Sequence, residues 1–574
     1  MLRLAGLLPL LFIHGALVHA EKPPVAAESE LRDLVERYTT DREALARRYP
    51  VESSPERFAR LARFYDEWRA RVEAVDFEPL GFEGRIDHVL LRTGIDYQKR
   101  LLAREEGFIR ETSALLPFAE DALDLNDARL RMETMDAAKA GAALDLLAER
   151  IDAARKEREG QVDAIDRLAA FRAQEQLAVL GEALRSWYEF YTGYDPLFTW
   201  WCQAPYKEVT RALEDYRKFL REKVLGIGPG VEEPIVGTPI GRDALVADLA
   251  SELVPYTPEE LLVLAEREFA WCENELRKAA REMGLGDDGM AAIEKVKKLY
   301  VPPGEQPDLI RNLAREAEAY LDEHGLLTVP PLAKEVWRMR MMTPERQKVN
   351  PFFTGGEVIS VSYPTDTMDQ ADKLMSLRGN NIHFARATVF HELIPGHHLQ
   401  AFMNQRYNAH RRAFRTPFWG EGWALYWEML LWDRGFQRSP EDRVGMLFWR
   451  MHRAARIQFS LGFHLGRMTP EECIELLVER GGHELANAEA EVRRSFNGSY
   501  PPLYQLAYMM GGLQFRALHQ EMVRSGKMTD RELHDAVLEG GSMPVEMVRV
   551  RVRKEAIPRD YTARWKFLGE EVTP

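Results

Sequence analysis

The chain has 574 residues, of which 45% are apolar and 29% are charged. With 12 Trp and 26 Phe residues it can bury a large core, which excludes a mainly disordered chain. Acidic residues outnumber basic ones by 91 to 77, so the net charge is −14 and we expect no nucleic-acid partner. Glycine-rich phosphate loops are absent. The 3 scattered cysteines exclude a disulfide framework, although one pair could close in an oxidising compartment.

Residues 1–20 have the features of a secretory signal peptide. Arg3 supplies a positive charge, residues 4–17 are almost wholly apolar, and Ala20 is a small residue at the expected cleavage point. An uncleaved anchor is less favoured because this apolar stretch is short for a bilayer span. Lipid anchoring is excluded at this point, since no cysteine lies there. We expect a secreted or periplasmic protein with no membrane-spanning segment after signal removal, because no later apolar run is long enough.

The remaining sequence predicts a mainly α fold. Residues 126–191 carry apolar side chains at helical spacing and predict one long amphipathic helix with an irregularity at Gly160. A stretch rich in Gly and Pro at 225–242 is the predicted boundary between two lobes. We therefore assign residues 21–230 to a helical N-terminal lobe and residues 231–574 to a second lobe, which carries the functional motifs.

Local signals in the second lobe predict helix starts and one strand. Thr257, Thr469 and Thr529 are each followed by a Glu three residues later, which predicts capping boxes. The segment Glu357–Tyr363 is rich in Val and Ile and ends before Pro364, so it is the best candidate for a strand. An extended peptide could add along the edge of this strand by main-chain hydrogen bonds.

Three of the 14 histidines fall within eight residues, in the segment FHELIPGHHLQ. Zinc peptidases bind their metal with two histidines on one helix face, and a Glu beside the first histidine acts on the attacking water. The usual second position, four residues after His391, is Pro395, which cannot bind a metal and breaks the helical hydrogen-bond pattern. One of His397 and His398 is therefore the expected second ligand, and the spacing does not decide which.

A second motif, EGWALYWE, reads as a buried helix that carries two acids. Glu421 and Glu428 are seven residues apart and so lie on one helix face. Buried carboxylates are costly unless they are paired or bind a metal. Glu421 is the candidate third ligand, and Glu428 is suited to accept the N–H of a ligand histidine. Isolated histidines and acids are more often structural, but this clustering favours a metal site over coincidence.

With HELIPGHHLQ followed by EGWALYWE, the sequence resembles the bacterial proteins grouped as domain of unknown function 885. The resemblance covers residues 350–518, and it implies a secreted or lipoprotein-like relative of the gluzincin (thermolysin-like, peptidase-MA) metallopeptidases. A looser similarity runs to the helical oligopeptidase, angiotensin-converting-enzyme and carboxypeptidase-Taq group. The implied fold is large, two-lobed, helical and metallopeptidase-like, with a small β-sheet near the metal site and a deep cleft.

The resemblance also implies a role for each residue of the two motifs. Glu392 is the implied general base. The implied zinc ligands are His391, Glu421 and one of His397 and His398. The sequence departs from the helical peptidases by its inserted Pro-Gly pair and by Leu425, where many gluzincins have an Asp.

A tyrosine usually helps zinc to stabilise the oxyanion of the reaction. Tyr504 and Tyr508 lie one turn apart in the region where helical gluzincins carry such a tyrosine, and both are candidates for this role. An equally good interpretation makes them core tyrosines. Arg493 and Arg494 could bind a substrate carboxylate, but a solvated basic pair is the favoured interpretation.

These features predict a secreted zinc metallopeptidase that hydrolyses small peptides through a metal-activated water. Both a carboxypeptidase and an oligopeptidase type fit the sequence. One alternative is a catalytically inactive peptide- or metal-binding protein on the same fold, but a metal binder has no need of Glu392. Another is a hydrolase of a non-peptide amide or ester, which would use the same residues. The oligomeric state is open.

Overall fold

The computed structural model describes residues 28–231, 233–349, 352–498 and 500–568. Within these residues the chain is mainly helical and contains one two-stranded sheet, which confirms the prediction of a mainly helical chain with a small sheet. The signal peptide predicted at residues 1–20 lies outside the described residues. In the described part, no helix is both long and apolar enough to cross a membrane.

In the first part of the described chain, up to residue 225, the secondary structure consists of helices and includes no strand. Its helices are α1 (Arg32–Arg48), α2 (Pro55–Glu73), α3 (Phe82–Thr112), α4 (Ala119–Leu130), α5 (Ala137–Glu159), α6 (Arg167–Tyr191) and α7 (Pro196–Phe219). Helix α7 continues into a π-helical turn at Leu220–Val224, and the next helix begins at Gly241. The stretch between them coincides with the predicted boundary at 225–242.

The prediction of one long helix at 126–191 is wrong. Helix α4 ends at Leu130, and the side chain of Asp136 caps the start of α5. Gly160 ends α5, as the predicted irregularity suggested, and Asp166 caps α6. Each Asp side chain accepts hydrogen bonds from the first amides of the following helix, so it starts a new helix. The apolar periodicity continues across such breaks and does not reveal them.

The second part of the chain carries the remaining helices. They are α8 (Gly241–Ser251), α9 (Pro258–Glu282), α10 (Gly289–Lys297), α11 (Gln306–His324), α12 (Pro331–Val336), α13 (Pro344–Val349), α14 (Gln370–Gly379), α15 (Ile382–Glu392), α16 (His397–Asn404), α17 (Pro417–Asp433), α18 (Pro440–His464), α19 (Pro470–Glu475), α20 (Leu485–Phe496), α21 (Tyr504–His519), α22 (Asp530–Glu539) and α23 (Val545–Arg553). The capping boxes predicted at Thr257, Thr469 and Thr529 are all confirmed, at the starts of α9, α19 and α22.

The sheet pairs β1 (Arg338–Met341) with β2 (Val358–Val361) in parallel. Strand β2 lies within the predicted strand Glu357–Tyr363. Its other edge is not free, because Thr354 forms an antiparallel bridge to Ser360. A peptide therefore cannot add along that edge of β2 at Ser360.

The packing of the core divides the predicted N-terminal lobe into two parts. Apolar side chains between residues 115 and 227 form a hydrophobic cluster of their own. Helix α3 instead contributes Ile86, Val89 and Leu90 to the main core, whose other members come mostly from residue 245 onward. Helix α3 thus connects the two predicted lobes, and the exact division at residue 230 stays a prediction.

Candidate metal centre

The HELIPGHH motif folds as two helices joined by a tight break. Helix α15 ends at Glu392 and α16 begins at His397, and the Ile394–Pro395 peptide between them is cis. The amide of Gly396 donates a hydrogen bond of 3.0 Å to a carbonyl in the last turn of α15. The indole of Trp423 on α17 donates one of 2.8 Å to the Pro395 carbonyl, which fixes the break against the second motif.

Gly396 is required at this break because a side chain there would collide with α15. A Cβ atom added to Gly396 would lie 1.7 Å from the carbonyl oxygen of His391. The close approach brings the His397 ring beside the His391 ring, with centroids 4.8 Å apart. On a continuous helix, a residue six positions later would point to a different face. The break therefore places two histidines side by side, as HExxH spacing does in a regular helix.

His391, His397 and Glu421 form a compact group of possible ligands. One ligand atom from each lies within 4.8 Å of the others. The Oε2 atom of Glu421 is 3.0 Å from Nε2 of His397 and 3.7 Å from Nε2 of His391. All three side chains are less than a quarter exposed. The structure thus brings together the predicted first histidine, one of the two candidate second histidines and the predicted third ligand.

His398 does not belong to this group. Its Nε2 atom pairs with the carbonyl oxygen of Ala333 on α12, at 2.8 Å, and the ring is buried away from the cleft. Burial lowers the pKa of His398, as expected for a neutral structural histidine. Of the two candidates that the spacing left open, the structure places His397 at the site and gives His398 a packing role.

Glu428 lies where the sequence predicts it, on the far side of His391. Its Oε1 atom accepts a hydrogen bond of 2.6 Å from Nδ1 of His391, which leaves Nε2 directed at Glu421. Burial by itself would lower the pKa of His391, but the carboxylates of Glu421 and Glu428 outweigh it and raise that pKa to about 9. Without a metal, the site therefore holds a proton on His391 to balance its carboxylates.

Glu392 is buried against the segment that precedes β2. The Gly356 amide donates a hydrogen bond of 3.2 Å to the Glu392 carbonyl, and a Cβ atom on Gly355 would lie 2.2 Å from the Glu392 carboxylate. Burial raises the pKa of Glu392 more than the neighbouring histidines lower it. A carboxylate with a raised pKa is suited to accept a proton near neutral pH. Two glycines here allow the chain to cover Glu392 closely.

Helices α17 and α21 approach each other through glycines. A Cβ atom on Gly422 would lie 2.5 Å from the Cα atom of Gly511, and one on Gly511 would lie 2.2 Å from the Phe418 carbonyl. No larger residue fits at either position without moving a helix. This close packing holds the first turn of α21, which begins with Tyr504, against Glu421.

The two candidate tyrosines both line the cleft, but they have different partners. The Tyr504 hydroxyl donates a hydrogen bond of 2.6 Å to Oε1 of Glu421. The Tyr508 ring lies 6.3 Å from the His391 ring and carries the guanidinium groups of Arg453 and Arg456 at 4.8 and 4.4 Å from its centroid. Burial raises the pKa of both tyrosines, so both hydroxyls keep their protons and can donate hydrogen bonds.

The site opens into a cleft with a volume of about 820 Å³. His391, Glu392, His397 and Glu421 line it, whereas His398 and Glu428 do not. The resemblance implied a deep cleft, and the structure has a cleft at these residues. Its lining includes Arg494, one of the two arginines that sequence reasoning favoured as solvated.

Sequence reasoning missed two features of this cleft. One is the Gly355–Gly356 pair that packs on Glu392, and the other is the arginine pair Arg453 and Arg456 on α18. A signal for the second was present, because the two arginines lie one turn apart on α18 among the apolar residues Met451, Ala454, Ala455 and Ile457. Buried charges in such a helix require partners, which should have marked them.

The three ligand candidates fit a zinc ion by their chemistry and by one unmet hydrogen bond. The Oε2 atom of Glu421 is buried and has no hydrogen-bond partner among the described residues. Two histidines and one carboxylate are a common protein ligand set for catalytic zinc, which leaves a fourth position open. Donor atoms around one zinc lie roughly 3.3–3.5 Å apart, close to the two distances to Glu421 given above.

The sequence matches the profile of the family described as bacterial protein of unknown function (DUF885) over residues 40–552. The chain belongs to this family. The match extends well beyond the 350–518 segment on which the resemblance rested, and it includes most of the helical N-terminal part. No curated protein matches the sequence.

Two solved structures are similar to most of this DUF885 chain. A predicted lipoprotein of unknown function from Shewanella oneidensis superposes with a TM-score of 0.67 at 18% identity, covering 92% of this chain and all 100% of the other. A predicted lipoprotein from Colwellia psychrerythraea gives a TM-score of 0.59 at 17% identity, covering 91% and 97%. At these identities the likeness shows a shared fold alone.

Proposed function

We propose that this DUF885 protein is a zinc-dependent peptidase of the gluzincin type that hydrolyses small peptides. The observation that carries the proposal is the compact group of His391, His397 and Glu421 in the lining of the cleft, in which one carboxylate oxygen of Glu421 makes no hydrogen bond to the described residues. Glu392 adjoins this group and is a carboxylate with a raised pKa. A binding protein without catalysis would gain nothing from such a base.

In the proposed hydrolysis, each residue of the site has a separate role. A bound zinc would polarise the peptide carbonyl and make water a better nucleophile. Glu392 accepts a proton from the attacking water as the carbon–oxygen bond forms. The same carboxyl group then gives that proton to the leaving nitrogen as the carbon–nitrogen bond breaks. Tyr504 and Tyr508 keep their hydroxyl protons and are the candidate donors to the oxyanion.

The test is to measure metal content and peptide cleavage on the same preparations. Glu392→Gln keeps the shape of the side chain but accepts no proton, so turnover should fall by roughly 10²- to 10⁴-fold while zinc stays bound. Glu421→Gln should lose zinc and turnover together, and added zinc should restore part of both. Glu479→Gln, at an exposed position that does not line the cleft, is the matched control.

Each outcome has a different meaning. If Glu392→Gln empties the site and Glu421→Gln stays metal-loaded but inactive, the two roles are reversed. If the wild-type protein binds zinc and cleaves no member of a peptide library, an amide or ester hydrolase or an inactive binding protein replaces the peptidase. Failure of the wild-type protein to bind zinc would remove the basis of the proposal.

We also propose that the protein is exported and released by cleavage after Ala20. Two structural relatives are described as predicted lipoproteins, which are exported proteins. This chain has no cysteine before Cys202, so it lacks the residue that would carry a lipid at the cleavage point. N-terminal sequencing of the mature protein should begin at or near Glu21, and recovery of membrane-embedded protein with residues 1–20 attached would contradict export by this route.

A further inference from the structure

The described lining of the cleft is cationic although the whole chain is acidic. It contains five arginines and no lysine, against two acids, Glu392 and Glu421. The arginines are Arg412, Arg415, Arg453, Arg456 and Arg494. In a chain with a net charge of −14, such a lining favours an anionic ligand.

Arg453 stands out among these arginines because it is buried and only weakly paired. The residue is 5% exposed, and its Nε atom has no hydrogen-bond partner among the described residues. Its ion-pair partner Glu428 lies 3.7 Å away, beyond hydrogen-bond distance, and already binds His391. A buried guanidinium without a good partner is costly, so it points to a ligand that supplies one.

The neighbouring arginines also have too few carboxylates to pair with. Arg456 and Arg494 both pair with Glu491, so one carboxylate serves two guanidinium groups. The Nη1 atom of Arg456 and the Nε atom of Arg494 are buried without hydrogen-bond partners in the described part of the chain. The cleft wall from Arg453 to Arg494 therefore carries three cations against Glu491 and a shared Glu428.

Aromatic rings hold the Arg453 guanidinium in place. It lies between Trp449 and Tyr508, at 5.2 and 4.8 Å from their ring centroids. Such contacts stabilise a guanidinium without using its hydrogen bonds, which stay free for a planar anion. A carboxylate matches this group because both are planar and can pair through two hydrogen bonds.

We propose that this cleft binds peptides through a free carboxylate and that Arg453 is the residue that binds it. The inference rests on the proposed function and deepens it by naming the substrate class. The carboxylate can come from the C-terminus of the peptide or from an acidic side chain near it. The same chemistry serves both, and the experiment below separates them.

The position of Arg453 sets how far the carboxylate lies from the reacting bond. Oε1 of Glu428 lies 2.6 Å from Nδ1 of His391 and 3.7 Å from Nη2 of Arg453. The guanidinium is therefore a few ångströms from the ring of a proposed zinc ligand. One extended residue spans at most about 3.6 Å, so the bound carboxylate should lie within a few residues of the cleaved bond. For a C-terminal carboxylate, this predicts release of a short fragment from the end of the peptide.

The test measures binding, so that it does not depend on turnover. Zinc-loaded protein with Glu392→Gln is titrated by calorimetry with an N-acetylated tetrapeptide that ends in leucine, because Phe352 and Trp449 make the cleft wall beside Arg453 apolar. The peptide is supplied as the free acid, as the C-terminal amide, and as an amide with Glu in place of the leucine. We expect the free acid to bind about 30-fold more tightly than the neutral amide, as for a buried charge pair.

Two substitutions in the same background assign this preference to Arg453. Arg453→Gln should abolish the difference between acid and amide, and Arg453→Lys should retain part of it because the charge remains. Arg531→Gln removes an exposed arginine that does not line the cleft and should leave the difference unchanged. Circular dichroism identifies any variant that does not fold, and Arg453→Lys then decides.

The outcomes separate this inference from the peptidase proposal. Tight binding of the Glu-containing amide would assign the carboxylate to a side chain, and tight binding of the free acid alone would assign it to the C-terminus. Equal binding of all three peptides, or an unchanged preference in Arg453→Gln, would overturn the inference even if the wild-type protein cleaves peptides. A preference for the acid without any cleavage would support the inference and refute the peptidase.

Discussion

Two buried clusters of charged side chains in this protein differ in how fully their hydrogen bonds are made. In the first, Arg411 connects the segment before α17 to α3. It donates to Asp87 and Glu83 at 2.7 Å each and to the carbonyl of Gly540 at 2.8 Å. In the second, the cluster in the lining of the cleft, the Oε2 atom of Glu421 and the Nε atom of Arg453 make no hydrogen bond to any described residue, although Oε2 lies 3.0 Å from Nε2 of His397.

The comparison shows that burial of charge does not by itself identify a functional site. The Arg411 cluster is at least as buried as the other, yet none of its members lines the cleft. Its hydrogen bonds hold two parts of the chain together, which is a structural role. The cleft cluster leaves ligand atoms unpaired and directs them at a cavity. Unmet hydrogen bonds that face a cavity are therefore the better indicator of ligand binding.

The sharpest test of the cleft cluster compares two adjacent histidines. His397→Ala should reduce bound zinc to a small fraction and abolish turnover, because its ring is one of the three proposed ligands. His398→Ala should keep zinc and most of the turnover, since its ring pairs only with a backbone carbonyl. Metal analysis of both purified variants checks this. Zinc loss in His398→Ala with full zinc in His397→Ala would reverse the assignment.

The Arg411 cluster should respond through stability. Arg411→Met removes the buried cation that Asp87 and Glu83 share. Glu83 keeps Arg551 and Asp87 keeps His410, so the loss in the free energy of unfolding should lie near the lower end of the about 3–5 kcal/mol that breaking a buried pair costs. In metal-free protein, Glu421→Gln should cost less than half as much, because its amide oxygen can still accept the hydrogen bond from Tyr504. Urea unfolding of the two variants measures both values. Equal losses would mean that the two clusters do not differ in role.

Residues whose positions follow from helical spacing could be predicted from the sequence. Glu421 and Glu428 lie seven residues apart on α17, and this spacing alone places them on one face. The structure puts Glu421 beside the histidines and Glu428 on the other nitrogen of His391, as expected. The capping boxes were predictable for the same reason, since each depends on residues within one turn.

Features that depend on contacts between distant segments could not be predicted. The choice between His397 and His398 depends on how the chain turns at Gly396, which the spacing does not contain. The carboxylate-binding role proposed for Arg453 depends on the packing of α18 beside α21, which places its guanidinium over the Tyr508 ring. Packing of Gly355 on Glu392 likewise joins segments that lie far apart along the chain.

A smaller effect is expected from the residue that holds His391 in place. Glu428→Gln weakens the charge-assisted hydrogen bond to Nδ1 of His391, and such changes usually reduce metal affinity by about 10- to 100-fold. Competition with a zinc chelator measures the affinity. Glu479→Gln serves as the control, and an unchanged affinity in Glu428→Gln would show that Glu428 does not support the ligand.

The smallest effect concerns pH and again depends on the balance of charge in the cleft cluster. In the metal-free protein the pKa of His391 is raised to about 9, so its ring is mostly protonated at neutral pH. Zinc must displace that proton, because a histidine ligand has to be neutral. Below pH 9, zinc affinity should therefore rise by about tenfold per pH unit, and one proton should be released for each zinc bound.

Calorimetry at pH 7 and pH 8, in buffers with different ionisation enthalpies, counts this proton. His398→Gln should show the same pH dependence as the wild type, since His398 is outside the site. Arg411→Met should show it as well if the variant folds, because the Arg411 cluster exchanges no proton with the metal. A flat affinity between pH 7 and pH 8 would mean that His391 is already neutral in the metal-free protein. The carboxylates of Glu421 and Glu428 would then be balanced in another way, and the contrast between the two clusters would lose its electrostatic basis.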